Sequence, residues 1–222
     1  YGLYADYGMN KEFLSDLVLF HSAAEDKLVT LKEYVEHMRE GQKFIYYVSA
    51  ESVQRAIKLP QTERVREQGY DILCMTDDVD EFAVRMLGTL MEKPFQSVSD
   101  AGLDLVSDEE KKAAEEAQTA HKDLLAALKA ALGDKVKEVR LSDKLKSSPV
   151  CLTSDGPLSI EMEKVLANMP VADGSIKAER VLEINPTHPV FAALSVLPEG
   201  DARIARYASL LYDQALLIEG LP

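Results

Sequence analysis

The densest group of side chains that could do chemistry is a run of acids at 76–81, Thr-Asp-Asp-Val-Asp-Glu. It follows a short apolar segment typical of a buried strand, and carboxylates at the carboxyl end of such a strand often serve metal binding or catalysis. In one interpretation, Asp77 or Asp78 caps the following helix. In the other, Asp77, Asp78 and Asp80 form the metal site of an enzyme that acts on a small molecule. A hard cation needs oxygen ligands from several segments, and no second segment supplies a matching set.

Other motifs of catalytic or nucleotide chemistry are missing from the sequence. It has no glycine-rich phosphate loop, no Cys-x-x-Cys, no His-Glu-x-x-His and no Gly-x-Ser-x-Gly, and its four histidines are scattered. The two cysteines, Cys74 and Cys151, each lie within an apolar run, which favours buried free thiols in a reducing compartment such as the cytoplasm. Apart from the acidic run, the sequence therefore offers no constellation of nucleophile, base or metal ligands.

Composition and charge restrict the possible classes of partner. With 222 residues, 46% of them hydrophobic and 28% charged, the chain is predicted to be globular with two compact domains. A net charge of −13 argues against nucleic acid, and no apolar run is long enough to cross a bilayer. The basic segment at 135–146 is interpreted as a half-exposed strand with a solvated face. Because the chain begins at Tyr1 without a methionine, we expect it to be a piece of a longer protein.

The first half of the chain changes its hydrophobic period near residue 41. Residues 1–40 are predicted to be helical, with one helix capped by Asn10 and extending through Phe20, and another beginning at a capping box on Thr30. Residues 41–104 are predicted to alternate buried strands, at 44–48, 70–75 and 95–98, with short helices. This alternation indicates a small three-layer α/β/α unit, with right-handed crossovers between parallel strands. A break at 99–107 is taken as the domain boundary.

The second half, residues 105–222, is predicted to be an α+β domain that ends on helices. One long helix is expected from Ser107 to Gly133, with a polar first part that projects into solvent. Three strands follow at 136–141, 150–153 and 180–184. An amphipathic helix is expected at 158–169 and a closing helix at 201–219.

Two of these helices carry more apolar surface than one neighbour can cover. On the amphipathic helix, Leu158, Met162, Val165 and Met169 recur at spacings of four, three and four, and methionine suits a surface that must adapt to many shapes. On the closing helix, three apolar residues follow one another at 216–218. For each helix, ordinary core and an interaction surface stay open as interpretations.

Several segments recur together in a known order and spacing. They are TLKEYV (30–35), GQKFIYY (41–47), GYDIL (69–73), TDDVDEF (76–82), VKEVRLS (136–142), SPVCL (148–152), INPTHP (184–189) and LYDQALL (211–217). Together they resemble the ninety-kilodalton heat-shock chaperone family, nearest to its bacterial, high-temperature protein G type. None of these segments is a chemical motif, and the resemblance depends on their joint occurrence across nearly the whole chain.

The resemblance implies a place within a longer chaperone. Residues 1–40 would be a helical linker of the middle domain, 41–104 its small α/β/α part, and 105–222 the C-terminal dimerisation domain with the final helix missing. The N-terminal domain that binds ATP and magnesium, and the middle-domain arginine that reaches the nucleotide, would lie upstream of Tyr1. The resemblance thus implies no cofactor and no ATP hydrolysis in this piece, although the parent protein would be an ATPase.

Two interaction surfaces are also implied by the resemblance. Leu158, Met162 and Val165 match the client-contacting positions of the amphipathic helix. The closing helix matches one helix of a four-helix dimer bundle, with the positions Tyr207, Leu210, Leu211, Gln214, Leu217 and Ile218. The expected partners are unfolded client proteins and a second copy of the chain, the latter bound more weakly because of the missing helix, with no nucleic acid and no membrane.

Overall fold

The computed structural model describes residues 15–103, 105, 107–169 and 177–221, and these form two compact units. The first unit comprises the described residues within 1–58, 65–98 and 161–176, and the second those within 59–64, 99–160 and 177–222. This division follows packing rather than chain order, so the domain bounds expected from the sequence stay predictions. Mixed α/β and α+β content agrees with the predicted fold class.

A six-stranded mixed sheet is the centre of the first unit. Its strands stand in the order β2-β1-β4-β3-β6-β5, and the pairs β4–β3 and β3–β6 are parallel, as the sequence predicts. Both edges are antiparallel hairpins, β1–β2 and β5–β6. The strands are β1 (Leu19–Ser22), β2 (Lys27–Thr30), β3 (Ile45–Ser49), β4 (Leu73–Met75), β5 (Thr89–Leu90) and β6 (Lys93–Ser97).

The prediction of a helix that extends through Phe20 is wrong, because Leu19–Ser22 forms strand β1 of the β1–β2 hairpin. Along β1 the exposed Leu19 alternates with the buried Phe20 and Ser22, so burial follows the two-residue period of a strand. Residues 1–14 of the predicted helical region lie outside the described residues. The capping box at Thr30 is confirmed: its side chain accepts a hydrogen bond from the Glu33 backbone N–H, and the Glu33 carboxylate accepts one from the Thr30 N–H.

Short helices connect the strands of the first half of the chain. They are α1 (Leu31–Glu36), α2 (Val53–Ala56), a 3₁₀ turn (Pro60–Thr62), α3 (Glu63–Glu67) and α4 (Asp80–Leu87). The core of the first unit consists of apolar residues from the sheet, α1 and α4, among them Phe20, Leu31, Ile45, Leu73 and Val84. Helix α4 ends at Leu87, because Gly88 has a positive φ of 69° and leads into β5.

The second unit has a three-stranded sheet in the order β7-β9-β8. Its strands are β7 (Glu138–Leu141), β8 (Val150–Asp155) and β9 (Glu179–Ile184), with β9 parallel to β7 and antiparallel to β8. The later helices of the chain are α5 (Asp108–Ala120), α6 (Lys122–Leu132), α7 (Ile160–Ala167), α8 (Pro189–Ser195) and α9 (Ala202–Glu219), and a 3₁₀ turn (Gly133–Lys135) follows α6. One continuous core joins the sheet to α6, α8 and α9.

The long helix predicted from Ser107 to Gly133 is broken in two at His121. The His121 backbone leaves the helical region, with φ −109° and ψ 16°, and its ring packs edge-on against Phe191 with 4.9 Å between ring centroids. A tertiary contact therefore interrupts a stretch whose local propensity is helical throughout. The Ser107–Glu110 capping box that starts α5 has both of its reciprocal hydrogen bonds.

The basic segment at 135–146 is not fully solvated, and the interpretation as a solvated face is wrong for Lys144. Its side chain is 1% exposed, and its Nζ lies 3.2 Å from Glu183 Oε1 and 2.6 Å from the Asp100 carbonyl oxygen. Arg140 Nη2 also pairs with Glu183, at 2.6 Å. Burial raises the pKa of the Glu183 carboxyl, but the charges of Lys144 and Arg140 outweigh it and lower the pKa, so a buried ion cluster joins β7 to β9.

Candidate functional site

The acidic run at 76–81 is a turn that is held by its own backbone. Asp80 Oδ2 accepts hydrogen bonds from the N–H groups of Thr76, at 3.2 Å, and Asp77, at 3.1 Å. The N-cap of α4 is Val79, which has no side-chain oxygen, so the expectation that Asp77 or Asp78 caps the helix is wrong. The carboxylate of Asp80 instead reaches back from the first turn of α4, and its partial burial raises its pKa.

A metal site in this turn has no support. Across residues 15–103, 105, 107–169 and 177–221, no three His, Cys, Asp or Glu side chains are grouped closely enough to hold a metal ion. Asp77 and Asp78 are exposed, whereas Asp80 is already engaged with the backbone. Asp80 therefore stabilises the turn through its hydrogen bonds to the backbone, and nothing in the described part of the chain supports a metal-dependent enzyme.

A small cavity of about 60 Å³ lies in the first unit, where β3 and β4 end. Helix α7 forms one of its walls with Met162 and Val165, and the acidic turn with the start of α4 forms another. The lining residues are Ser49, Ala50, Glu51, Met75, Thr76, Asp77, Asp78, Glu81, Phe82, Glu161, Met162 and Val165. The structure thus brings together the apolar stripe and the acidic run, which the sequence presented as separate features.

Leu158 does not belong to this cavity, although it was expected to share the stripe with Met162 and Val165. Helix α7 begins at Ile160, so the four-residue spacing from Leu158 to Met162 does not describe one helical face. Leu158 packs instead against the apolar core of the second unit. Met169, at the other end of the stripe, is 45% exposed, lies beyond the end of α7, and is not part of the lining.

The lining of the cavity has an apolar part, which we call the floor, and a set of carboxylates, which we call the rim. Phe82 and Met75 face the cavity together with Met162 and Val165. The carboxylates of the lining are Glu51, Asp77, Asp78, Glu81 and Glu161. Phe82 was missed as a site residue, and the available signal was its place in the first turn of a helix that follows a buried strand.

The charges on this rim are partly neutralised inside the first unit. Glu81 is buried and accepts two hydrogen bonds from the Arg85 guanidinium, at 3.0 and 3.1 Å. Burial raises the pKa of Glu161, and the nearby carboxylates of Glu81 and Glu51 raise it further, although the Lys164 ammonium opposes the shift. An apolar floor with a negative rim is suited to an apolar segment that is flanked by basic side chains.

The closing helix α9 carries a second apolar stripe, which is open to solvent. Leu210 is 60% exposed and Leu217 is 77% exposed, with the exposed Gln214 between them and the half-buried Tyr207 one turn before. Spacings of three, four and three place these four residues on one side of the helix. Such a seam is typical of helices that pair with another helix.

One of the positions predicted to form the dimer interface, Leu211, lies in the core instead. Leu211 is 2% exposed and belongs to the core of the second unit, so its assignment to an interface is wrong. One residue along a helix corresponds to a rotation of about 100°, which turns Leu211 away from the side that exposes Leu210. Ile218 is half-buried, as Tyr207 is, and its place in the interface stays a prediction.

The protein-family comparison matches the whole chain. The family described as Hsp90 protein matches residues 1–222. The chain is 53% identical over 223 residues to "Chaperone protein HtpG" of Bacillus subtilis (strain 168), a match that covers 100% of this chain and 36% of the relative. The protein of the same name from Clostridium acetobutylicum is 54% identical over 225 residues, which is 100% of this chain and 35% of the relative.

The chain therefore spans about a third of the length of these curated relatives. Within the described part of the chain, no helix is both long and apolar enough to cross a membrane. A family match over every residue, with identity above one half to curated members, is far beyond what a shared fold alone produces. The chain belongs to the Hsp90 protein family.

Proposed function

We propose that this chain is a client-holding and self-pairing part of an ATP-dependent molecular chaperone that assists protein folding. The observation that carries the proposal is the cavity in which Met162 and Val165 of α7 meet Phe82 and Met75 inside an acidic rim. Its relatives bear the name chaperone protein HtpG, which supports the same function. The acidic turn contributes rim charge rather than catalysis.

Client recognition follows from the size and chemistry of this site. A cavity of about 60 Å³ accommodates part of one side chain, so it serves as an anchor point along an extended contact rather than as an enclosing pocket. Methionine side chains rearrange at low cost, which lets Met162 and Met75 accept differently shaped apolar groups. The rim carboxylates favour clients with basic residues next to the apolar anchor and disfavour acidic ones.

Self-pairing is proposed to use the open face of α9. Exposed leucines at 210 and 217 would lie in water in a lone chain, and their burial against a second copy gives roughly 1.5–3 kcal/mol for each fully covered side chain. A two-fold pair would present the α7 site in duplicate, so that one client could contact both copies.

The remaining assignments follow from the family. We propose that residues up to about 104 correspond to the rear of a middle domain and that those from 105 onward correspond to a dimerisation domain. ATP and magnesium would be bound by another part of the parent protein, so this chain would have no enzymatic activity of its own. The cytoplasm is the proposed location.

The test is a titration of the chain into a fluorescently labelled, permanently unfolded client, followed by anisotropy. Met162→Ser removes the apolar group from the cavity wall, and we expect client affinity to fall at least tenfold. Met169→Ser is the matched control, because Met169 is exposed and lies outside the cavity, and we expect a change below twofold. Equal affinities for all three proteins, or an equal loss for both variants, would refute the assigned site.

A further inference from the structure

A groove in the second unit has the opposite charge to the chain as a whole. It has a volume of about 720 Å³ and lies between the end of α6, the start of β7, the start of β9 and Tyr212 of α9. Its lining residues are Lys129, Asp134, Lys135, Val136, Lys137, Lys177, Ala178, Glu179, Arg180 and Tyr212. Five of these are cationic and two are acidic, in a chain whose net charge is −13. Such a local excess of positive charge attracts anions within a Debye length, about 8 Å at physiological ionic strength.

The cationic side chains of this groove differ in the ion pairs and hydrogen bonds that they already form. Lys137 is committed, because its Nζ lies 2.7 Å from Asp155 Oδ2 and 2.5 Å from Glu179 Oε2. Lys129 donates to the Gly133 carbonyl oxygen at 2.6 Å, and Lys135 Nζ lies 5.5 Å from the centroid of the Tyr212 ring. Within the described ranges, neither of these two lysines, nor the exposed Lys177, forms an ion pair with a carboxylate. Three positive charges are thus available to a ligand.

Tyr212 and Arg180 form a fixed wall behind these lysines. Tyr212 is 4% exposed, its Oη accepts a hydrogen bond from Arg180 Nη1 at 3.2 Å, and it donates to the Lys135 carbonyl oxygen at 3.4 Å. The wall holds Lys135 and Arg180 beside the groove before any ligand arrives, which lowers the entropic cost of binding.

The same wall indicates which anion fits. Tyr212 is the one aromatic residue of the lining, and because it is buried with Lys135 beside its ring, a nucleobase finds no open face on which to stack. Val136 and Ala178 add small apolar surface between the cations. We propose that this groove binds an acidic peptide segment, whose carboxylates pair with Lys129, Lys135 and Lys177. This inference is independent of the proposed client site in the other unit.

The test is fluorescence anisotropy of a labelled hexaglutamate peptide with the whole 222-residue chain. We expect saturable binding that weakens as salt rises, and at least tenfold weaker binding by the Lys135→Glu, Lys177→Glu double variant. The control is Lys43→Glu with Lys58→Glu, two exposed positions in the first unit that undergo the same change of net charge. Its affinity should stay within twofold of the unsubstituted chain. A Lys135→Gln, Lys177→Gln variant with an unchanged circular dichroism spectrum separates lost charge from lost folding, and it should bind several-fold more weakly.

Three results would overturn the proposal. One is the absence of saturable binding, and another is an equal loss in the groove and control variants, which would indicate a response to net charge alone. The third is displacement of the peptide by inorganic phosphate or ATP at lower concentrations than unlabelled hexaglutamate, which would assign the groove to phosphate groups. Failure of the client site would leave peptide binding unchanged, since Met162→Ser does not touch the groove.

Discussion

Helices α7 and α9 both carry an excess of apolar residues, yet the structure treats the two faces differently. Met162 and Val165 of α7 are half-buried in a cavity of their own unit, against Phe82 and an acidic rim. Leu210 and Leu217 of α9 are exposed, on a face that no part of the described chain covers. The same excess of apolar residues in the sequence thus corresponds to a half-buried cavity wall on one helix and to an exposed face on the other.

The difference lies in what surrounds each helix. The α7 face meets the carboxyl ends of parallel strands, where backbone geometry gathers polar groups, so its apolar floor is narrow and bordered by charge. On α9, Ala208, Leu211 and Ala215 pack into the core on one side of the helix, and the other side exposes Leu210 and Leu217. Two adjacent residues of the helix, such as Leu210 and Leu211, therefore differ between an exposed position and a core position.

The largest expected effect is a loss of stability when a core residue of α9 is shortened. Leu211→Ala should lower the free energy of unfolding by about 2–5 kcal/mol, because it leaves a cavity in a packed core. Leu217→Ala should change it by no more than about 0.5 kcal/mol at protein concentrations where the chain is monomeric. Urea denaturation followed by circular dichroism measures both values, and similar losses for the two variants would contradict the assignment of the two sides.

The second effect concerns pairing. Leu210→Lys combined with Leu217→Lys places two charges on the open face, where they repel the same charges of a second copy, and we expect the dimer to be lost. Light scattering across a concentration series measures the mass. Ala205→Lys combined with Ser209→Lys is the control, because it adds the same two charges at exposed positions on another side of the helix, and it should leave the mass unchanged.

A smaller loss of client affinity is expected from a substitution in α4. It tests whether the floor of the cavity takes part in the proposed client site. Phe82→Ala removes part of the cavity floor and should weaken client binding several-fold. Met86→Ala, one turn further along α4, alters an exposed residue outside the cavity lining and should have no measurable effect. Anisotropy with the labelled client compares them, and a loss confined to Met86→Ala would move the site away from the cavity.

The smallest effect is a dependence on pH. Burial raises the pKa of Glu161 above its ordinary value of 4.5, so the folded state favours the protonated carboxyl. The protonated Glu161 carboxyl contributes its full stabilisation to the folded state below pH 4.5. This contribution is lost as the pH rises through the raised pKa of Glu161. Protection of the α7 amides against hydrogen exchange should therefore decline over that interval. Glu161→Gln should flatten the decline, and an unchanged slope in this variant would rule out Glu161 as its source.

Local signals predicted much of this fold. The capping boxes at Thr30 and Ser107, the parallel strands β3, β4 and β6, and the closing helix all follow from short-range patterns. The hairpin at 19–30 was missed because Val18 and Phe20 satisfy a helical pattern as well as a strand pattern, and the pairing of β1 with β4 that decides between them is distant in sequence.

The site was predictable only in part, for a related reason. Met162 and Val165 were found because they share a helix face, whereas Leu158 was included on the assumption that the helix begins two residues earlier than it does. Phe82 and the Lys144–Glu183 pair were missed, because each depends on segments that meet only in the folded chain. The spacing of residues along a helix predicts which of them share a face. It does not predict whether that face packs against the core, lines a cavity or is exposed to solvent.

We propose that one chain holds a client through α7 and pairs through α9, and that either role can be removed without the other. The most direct measurement is the light-scattering mass of the Leu210→Lys, Leu217→Lys variant in the presence of a saturating unfolded client. We expect a complex in which a single 24.6 kDa chain still holds the client. A complex that retains two chains, or a variant that no longer binds the client, would contradict it.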